Sequence, residues 1–425
     1  MTVALIAVAV FAASMAGVII RPRGIPEAWW AAGGAALMLL LRITSPASVL
    51  HALTGQWNLF LFFLGLMLIS GLADLSGFFD AAAALAAGAS GGSGRRLLLA
   101  IFAVGALITA FLSNDATALI LTPVVYAVVT RLRLPPMPYL FATTFIADTA
   151  SVLLPVSNPI NVLVGGHLHL PLGVYLGHLL PAAVVVIVIN AAVFMLIFRR
   201  QVAHHFRIDW REALAQATDD RRHLRLATLG LAAVGVAYLA GSSLGLPLGA
   251  VAIGGAALLA LITLGCRRFQ VGRVREHVSL SLFLYVAGLL ILVQGLQDAG
   301  VTAAVVRWLL TLASGPLTAV AAGVLGAGVA ANLVNNLPAT LFLLSGSHGA
   351  GLAAALRAPF LVGVLAGADL GPNLTPVGSL STMLWLVIVR RKGLKVSALD
   401  YLKLGVAVTP LLLIAAWLGI GATFR

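Results

Sequence analysis

Long apolar runs recur along this chain of 425 residues, and they restrict the fold more than any other feature. A helix that crosses a bilayer needs about 20 apolar residues. Such runs predict the spans Thr2–Ile20, Ala28–Leu41 (short), Trp57–Leu75, Val174–Phe198, Leu226–Gly241, Leu248–Gly265, Ser279–Leu296 and Leu404–Thr423. Only 9% of the residues are charged, against roughly 25% in soluble domains. The sequence therefore predicts an all-α polytopic membrane protein that lies in a lipid bilayer.

The charged residues are mostly basic, with 26 Lys and Arg against 13 Asp and Glu, and they form short clusters between the apolar runs. Such clusters orient a membrane protein, whereas nucleic-acid binding would need a continuous basic face, so we expect no nucleic-acid partner. The single cysteine, Cys266, excludes disulfides and cysteine-built metal sites. The chain has no phosphate-binding Gly-x-x-x-x-Gly-Lys-Ser/Thr loop. We expect no cofactor, no metal and no enzymatic activity.

The two halves of the chain repeat one plan, which indicates duplication. Three matches share an offset of 221 residues, namely Asn114 with Asn335, Asp148 with Asp369, and Pro155 with Pro376. Each half has three spans, a short amphipathic piece (Phe78–Ala89 or Val301–Ser314), two polar-interrupted apolar stretches and a final span. The interrupted stretches begin with Leu97–Thr130 and Pro316–Ser345, which we interpret as re-entrant hairpins.

This interpretation gives each half five crossings and inverts the second half relative to the first. The expected domains are the first repeat (1–198, hairpin 97–130 entering from the cytosol), a cytosolic linker loop (199–225, with Asp209, Glu212 and Asp219) and the second repeat (226–425, hairpin 316–345 entering from the other side). The fold is thus about ten spans plus two hairpins. Twenty-two Lys and Arg residues then lie on one side and four on the other, which makes the rich side cytosolic. Both termini are expected outside a bacterial inner (cell) membrane.

Four polar, Pro- and Gly-rich stretches interrupt the apolar sequence at corresponding places in the two halves. They are Ser113–Thr117, Asp148–Asn161, Asn332–Pro338 and Asp369–Ser379. Irregular backbone at membrane depth is tolerated only where it is buried in protein or lines a cavity. Paired broken helices in two inverted halves are typical of the midplane binding site of a secondary transporter.

Three carboxylates, Asp115, Asp148 and Asp369, lie in these otherwise uncharged stretches. An intramembrane carboxylate is costly and usually functional, and desolvation favours its protonated form, which would allow proton uptake and release near neutral pH. We predict that all three couple transport to protons. The alternative is that they cap half-helices and hold the breaks in place. Asp74 and Asp298, at span ends, are better explained as interfacial caps.

Other motifs are weaker signals. Gly88-Ala89-Ser90-Gly91 matches the serine motif of intramembrane proteases, although no convincing histidine partner accompanies it. His167, His169 and His178 cluster in the sequence and could bind a metal, but histidines of a short loop are more often solvated. A membrane-embedded hydrolase that uses Ser90 or these histidines is therefore the alternative from another functional class.

The interrupted stretches resemble the arsenite efflux pumps of ArsB type, within the ion transporter superfamily. The resemblance is carried by Ser113-Asn114-Asp115-Ala116-Thr117, by Ile146–Ser151 with Ser157-Asn158, by Asn335-Asn336-Leu337-Pro338 and by Gly367–Leu380. It covers nearly the whole chain. The hairpin tips are similar to the Ser-Asn-Thr tips of sodium-coupled carboxylate carriers, but Asp115 and Asn336 take the third position here, which favours protons over sodium.

The resemblance implies export of arsenite or antimonite in exchange for protons by an elevator-like movement. Arsenite near neutral pH is an uncharged trihydroxide that needs hydrogen-bonding partners and no counter-charge. The expected substrate-binding residues are Ser113, Asn114, Asp115, Thr117, Ser157, Asn158, Asn335, Asn336, Gly378 and Ser379. Some relatives pair with a soluble ATPase, and a homodimer is left open. The alternative on the same scaffold is a sodium/proton antiporter or a carrier of silicic acid or a small carboxylate.

Overall fold

The chain folds almost entirely into helices in the computed structural model, which describes residues 2–206, 218, 220–351 and 353–424. The first half contains α1 Thr2–Ile20, α2 Glu27–Leu40, α3 Pro46–Gly55, α4 Trp57–Leu75, α5 Phe78–Ala89, α6 Gly94–Phe111, α7 Thr122–Arg131, α8 Pro136–Ala150, α9 Pro159–Leu168 and α10 Leu172–Ile197. The second half contains α11 Arg221–Ser243, α12 Leu248–Gly265, α13 Val271–His277, α14 Leu280–Asp298, α15 Val301–Leu310, α16 Pro316–Val334, α17 Asn336–Gly349, α18 Ala354–Leu370, α19 Leu380–Arg391 and α20 Ala398–Gly421.

The predicted class, an all-α polytopic membrane protein, is confirmed. Across the described ranges, nine helical segments are long and apolar enough to cross a bilayer. The short span predicted at Ala28–Leu41 is the 14-residue helix α2. The loop predicted at 199–225 ends earlier, because α11 begins at Arg221. Asp209, Glu212 and Asp219 of that loop lie outside the described residues, and the domain boundaries stay a prediction.

Each half contains one helical hairpin, and the two differ at their return arms. Hairpin 1 runs up α6, turns at Leu112–Ser113 and returns through Asn114–Ala116, a π-helical turn at Thr117–Leu121 and α7. Hairpin 2 runs up α16, turns at Asn335 and returns as the regular helix α17. A π-helical turn inside an α-helix often marks a functional position.

Each half also contains one broken helix. Residues 151–158 separate α8 from α9, and a 3₁₀ turn at Gly371–Leu374 followed by residues 375–379 separates α18 from α19. Pro155 and Pro376 lie in these breaks, where a proline removes one backbone donor and prevents a continuous ladder of helical hydrogen bonds. The backbone groups freed by each break are available to the hairpin tips.

The helices pack as two groups. The framework helices, defined here as α1–α4 and α11–α14, pack mainly on one another, with α4 against α12 and α2 against α14. The hairpin unit, defined here as α5–α10 and α15–α20, has its own contacts, among them α16 with α18, α10 with α20, and α6 with α8. Few contacts join the groups, and the pair α14–α17 is the most extensive of them.

Small residues set the distance between α16 and α18 inside the hairpin unit. A Cβ on Gly323 would overlap the carbonyl of Phe360, and one on Gly367 would overlap the carbonyl of Val324. Membrane helices approach closely through such residues, because packing replaces the missing hydrophobic driving force. The close approach fixes α18, which carries Asp369, against the first arm of hairpin 2.

Candidate functional site

The hairpin tips meet the two helix breaks through matching backbone hydrogen bonds. The Asn114 N–H donates to the carbonyl of Ser157 at 3.1 Å, and the Asn336 N–H donates to the carbonyl of Gly378 at 2.9 Å. Each tip thus completes the broken helix of its own half. The structure pairs Asn114 with Asn336, one residue away from the sequence match of Asn114 with Asn335.

Side chains at the tips cap the return arms. The Ser113 hydroxyl accepts from the Ala116 N–H at 3.1 Å, and the side-chain Oδ1 of Asn335 accepts from the Leu337 N–H at 3.4 Å. Asn335 has φ 79° and ψ 155°, a region that residues other than glycine rarely adopt and that costs of order 1–3 kcal/mol. Backbone strain of this kind clusters at functional sites, where the surrounding contacts enforce it.

Asp148, at the end of α8, is buried and is bound by residues of the other half. Thr382 donates to its Oδ2 at 2.9 Å, and Ser381 donates to its Oδ1 at 3.5 Å. The Asn114 side-chain amide adds a long contact to Oδ1, also at 3.5 Å. Both carboxylate oxygens therefore have a donor, as a buried ionised group requires.

Asp369, at the end of α18, is bound less completely. The Asn158 side-chain amide donates to its Oδ1 at 2.8 Å, and Ser151 and Asn161 lie beside the same carboxyl. Its Oδ2 is buried and has no hydrogen-bond partner among the described residues. Because buried polar atoms are nearly always partnered, an acceptor oxygen left alone invites a proton on itself or a donor from a ligand.

Each of the two carboxyl groups is thus hydrogen-bonded by a residue of the other half. Thr382, in α19 after the second break, donates to Asp148, and Asn158, the last residue of the first break, donates to Asp369. Thr382 and Ser381 are not among the site residues that the sequence predicts. The repeat offset of 221 could have found Thr382, since it places Thr382 opposite Asn161.

A second polar layer lies beside the carboxyl groups. Thr149 accepts from the Asn190 amide at 2.7 Å and from the Asn373 amide at 3.1 Å. The Asn190 and Asn373 carbonyl oxygens are buried without a partner in the described part of the chain. This layer joins α8, α10 and the second break, so it holds both aspartate-bearing segments in one unit.

A small cavity of about 30 Å³ lies where tips and breaks meet the framework helices. Its lining contains Phe63, Asn114, Asp115, Asn158, Pro159, Ile160, Leu282, Tyr285, Asn335, Asn336, Leu337, Ser379 and Leu380. By the same measure one water molecule needs roughly 10–15 Å³, so a solute of a few heavy atoms fits. No Lys, Arg or His is among these lining residues.

Six of the ten predicted substrate-binding residues line this cavity: Asn114, Asp115, Asn158, Asn335, Asn336 and Ser379. Ser113, Ser157 and Gly378 shape it through the caps and backbone bonds described above. Thr117 points elsewhere, because its hydroxyl pairs with that of Thr109 at 2.7 Å and with the Ser113 carbonyl. Asp148 and Asp369 lie behind the lining, each bound by a residue that follows a break.

A larger cavity of about 560 Å³ opens between α3, α4 and α14 of the framework and α9 and α17 of the hairpin unit. Polar residues of its lining are His51, Gln56, Asn58, His167, Gln294, Gln297, Ser345 and His348. We call it the histidine-lined cavity. Ser345 donates to the Gln297 side chain at 2.7 Å across this cavity, which links α17 to α14.

The weaker sequence motifs do not assemble into sites. Ser90 is buried, and its hydroxyl donates to the Ala87 carbonyl of its own helix. The His167 ring meets the His348 ring edge to face, whereas His178 bonds to Thr423 at 2.7 Å and stacks on Phe424. The described residues contain no cluster of three or more metal-binding side chains. A serine hydrolase or a histidine metal site therefore has no geometric support.

The chain is similar in sequence and in structure to known membrane proteins. A family model described as "Arsenical pump membrane protein" (ArsB) matches residues 6–421. A protein of Escherichia coli (strain K12) with that same description is 30% identical over 412 residues, 95% of either chain. An uncharacterized transporter of Mycobacterium tuberculosis is 30% identical over 385 residues, 89% of either chain. The crystal structure of the Alcanivorax borkumensis YdaH transporter superposes with a TM-score of 0.57 at 18% identity, covering 88% of this chain and 87% of that one.

Proposed function

Because the chain belongs to the family of arsenical pump membrane proteins (ArsB), we propose that it exports arsenite or antimonite in exchange for protons. The proposal rests on two buried carboxyl groups, each of which accepts a hydrogen bond from the other half of the chain. They lie behind a small cavity whose lining has no basic side chain. A site of this kind can take up an uncharged hydroxide and can bind a proton without a counter-ion.

The size and polarity of the cavity support a small neutral substrate. Amide and hydroxyl groups of Asn114, Asn158, Asn336 and Ser379 supply both donors and acceptors there. A carboxylate substrate would require a cationic partner, most effectively an arginine. Arsenite as the trihydroxide satisfies both conditions, since it is compact and carries no charge.

Of Asp148 and Asp369, Asp369 is the better proton carrier. Its Oδ2 has no donor in the described residues, whereas both oxygens of Asp148 do. A buried carboxyl group with one oxygen lacking a donor is stabilised less as the anion than a carboxyl group with donors to both oxygens, so it takes up a proton more readily. We therefore assign proton exchange to Asp369 and positioning of the breaks to Asp148. Asp115, which lines the cavity, is the second residue to which we assign proton coupling.

An elevator-like movement is supported by the separation of the two helix groups. The hairpin tips, the helix breaks and the carboxyl groups of Asp148 and Asp369 all belong to the hairpin unit. The framework contributes only Phe63, Leu282 and Tyr285 to the lining of the small cavity. Movement of the hairpin unit as one body would keep every polar bond of the site intact. The histidine-lined cavity then leads to the site from the extracytoplasmic side, given the orientation that the basic clusters favour.

That orientation puts both termini outside and the segment from Arg199 to Arg225 in the cytosol, in a bacterial inner membrane. Proton exchange makes the chain sufficient on its own for export. Further expected partners are a soluble ATPase, which the family resemblance implies, and a second copy of this chain in a homodimer.

Everted membrane vesicles from a strain without its own arsenite pump test the proposed function. We expect arsenite to accumulate when the vesicle interior is acidic, because efflux from the cell corresponds to uptake into everted vesicles. An uncoupler should abolish this uptake. Uptake of a dicarboxylate driven by a sodium gradient, with no arsenite uptake, would instead support the carboxylate carrier.

A further inference from the structure

A third cavity, of about 490 Å³, lies between hairpin 1 and the framework helix α11. It is formed by α5, α6 and α11, and its size falls in the roughly 300–1,000 Å³ range of ligand-sized clefts. Thr228 is the one residue of its lining with a polar side chain, and the Thr228 hydroxyl donates to the Leu224 carbonyl of its own helix at 2.8 Å. We call this cavity the α5–α6–α11 groove.

The groove is open at its side and its walls are apolar there. Leu107 on α6 is 61% exposed and Val236 on α11 is 66% exposed, and both line it. In the plane of a bilayer such walls face hydrocarbon. An acyl chain that enters from the side loses no hydrogen bond, because no polar group of the lining needs a partner.

Basic residues continue the groove at one end. Arg225 precedes Thr228 by three residues on α11, so the two lie on neighbouring turns of one helix face. Arg96 lies on the face of α6 that continues through Val104 and Leu107, at spacings of eight and three residues. Both arginines are exposed, and neither forms an ion pair with the described residues.

The two arginines lie at the same end of the groove. Both are close to the first residue of their helices, and the groove is lined by the later turns of α6 and α11. The Phe111 ring lies against Gly235, 15 residues after Arg96 and 10 residues after Arg225, so at 1.5 Å per residue the two arginines differ by about 8 Å along the helix axes. A negatively charged headgroup at this end would meet two guanidinium groups that have no ion-pair partner within the described part of the chain, while its acyl chain continues along the apolar walls.

We propose that the α5–α6–α11 groove binds an anionic phospholipid, with one acyl chain in the groove and the headgroup at Arg96 and Arg225. Basic residues at a membrane surface attract anionic headgroups. The apolar lining of the groove packs against the acyl chain of the lipid. The lipid fills the space between the hairpin unit and the framework on the α11 side. This site does not depend on which solute the protein transports.

Native mass spectrometry of the purified protein tests the proposal. The delipidated protein is titrated with phosphatidylglycerol and, separately, with phosphatidylcholine of the same acyl chains. We expect the wild type to retain phosphatidylglycerol about tenfold or more over phosphatidylcholine, the factor expected from two arginine contacts. The double variant Arg96→Gln/Arg225→Gln should lose this preference, and the control Arg273→Gln, on the distant helix α13, should keep it.

A second variant tests the groove itself. Ala232 lines the groove and is exposed, so Ala232→Phe fills it without crowding the interior and should reduce retention of both lipids. The folding of each variant is checked by its elution as a single species in size exclusion. Equal retention of the two lipids by the wild type, or unchanged retention in Ala232→Phe, would overturn the proposal.

Discussion

Asn158 donates a hydrogen bond of 2.8 Å from its side-chain amide to Oδ1 of Asp369, so the broken helix of the first half binds the carboxyl group of the second. The reverse contact runs from Thr382 to Asp148. Because each contact crosses between the halves, neither broken helix can move alone without losing a buried bond. The site therefore behaves as one unit, which is what transport by the hairpin unit requires.

Replacement of Thr382 by valine should destabilise this unit. The change keeps the shape of the side chain but leaves Asp148 Oδ2 without its 2.9 Å donor, and an unsatisfied buried polar group costs about 1–3 kcal/mol. We expect a lower thermal midpoint in detergent and loss of most arsenite transport. Thr228→Val is the matched control, since that hydroxyl bonds only to its own helix; equal effects of the two changes would argue against a special role for Thr382.

Cross-linking α14 to α17 should stop transport if the hairpin unit moves past the framework. Gln297 and Ser345 touch across the histidine-lined cavity, so cysteines at both positions, in a Cys266→Ser background, can be joined by a short bifunctional maleimide. Arsenite uptake into vesicles should fall to background after cross-linking and recover when a reducible linker is cleaved.

A cross-link inside the framework provides the control for this experiment. Thr44 donates to Asp298 at 2.6 Å, and both residues belong to the framework, so cysteines at these two positions should be joined without loss of transport. Full activity of the cross-linked Gln297–Ser345 pair would show that these two helices do not separate during the cycle, against the elevator-like movement.

A bulkier residue at Gly367 should prevent folding of the hairpin unit. A Cβ there overlaps the Val324 backbone, which cannot move aside, so Gly367→Val should cost about 3 kcal/mol or more, the upper end of overpacking penalties. The measurement is the yield of monodisperse protein. Gly254→Val on α12 meets nothing within 4 Å and should express normally; normal yield of Gly367→Val would refute the close packing of α16 and α18.

Asp220 should contribute to stability only at pH values where it is ionised. The His223 backbone N–H, and then Arg268, hold the pKa of Asp220 below its usual value, so the native state favours the anion. This stabilisation is present above the unfolded-state pKa of about 3.9 and is lost as the pH falls through the lower native value. Asp220→Ala should therefore have a lower thermal midpoint than the wild type at pH 7, and the difference should shrink below pH about 4. A pH-independent difference would exclude this origin.

The positions of the interruptions could be predicted from the sequence because prolines, asparagines and aspartates are conspicuous in apolar surroundings. Both hairpins and both breaks follow from Pro155, Pro376 and the polar tips. The short helices α3 and α13 were not predicted, since ten and seven residues are too few for a span. The breaks and tips could thus be predicted from the sequence because they depend on local residue types.

The partners of each carboxyl group could not be predicted, because they depend on how the two halves meet. Ser381 and Thr382 are ordinary hydroxyl residues of an apolar helix, and only packing brings them to Asp148. Thr117 shows the reverse case: its position in the tip motif predicted a contact with the substrate, whereas its hydroxyl pairs with that of Thr109. The pairing of Asn114 with Asn336 rather than Asn335 is a one-residue shift that only the backbone bonds reveal.

Asp369 is the proposed site of proton exchange, and its replacement tests the mechanism most directly. Purified protein in liposomes that contain a trapped pH dye allows proton and arsenite fluxes to be followed together. In the wild type, an arsenite gradient should drive protons in the opposite direction. Asp369→Asn keeps the side-chain size but cannot exchange a proton, so we expect the proton flux to fall by about 100-fold or more, where 100-fold is the lower end of the range for a positioned proton-transfer group. Asp298→Asn, at a span end, should retain the flux. Wild-type proton movement in Asp369→Asn would contradict the account.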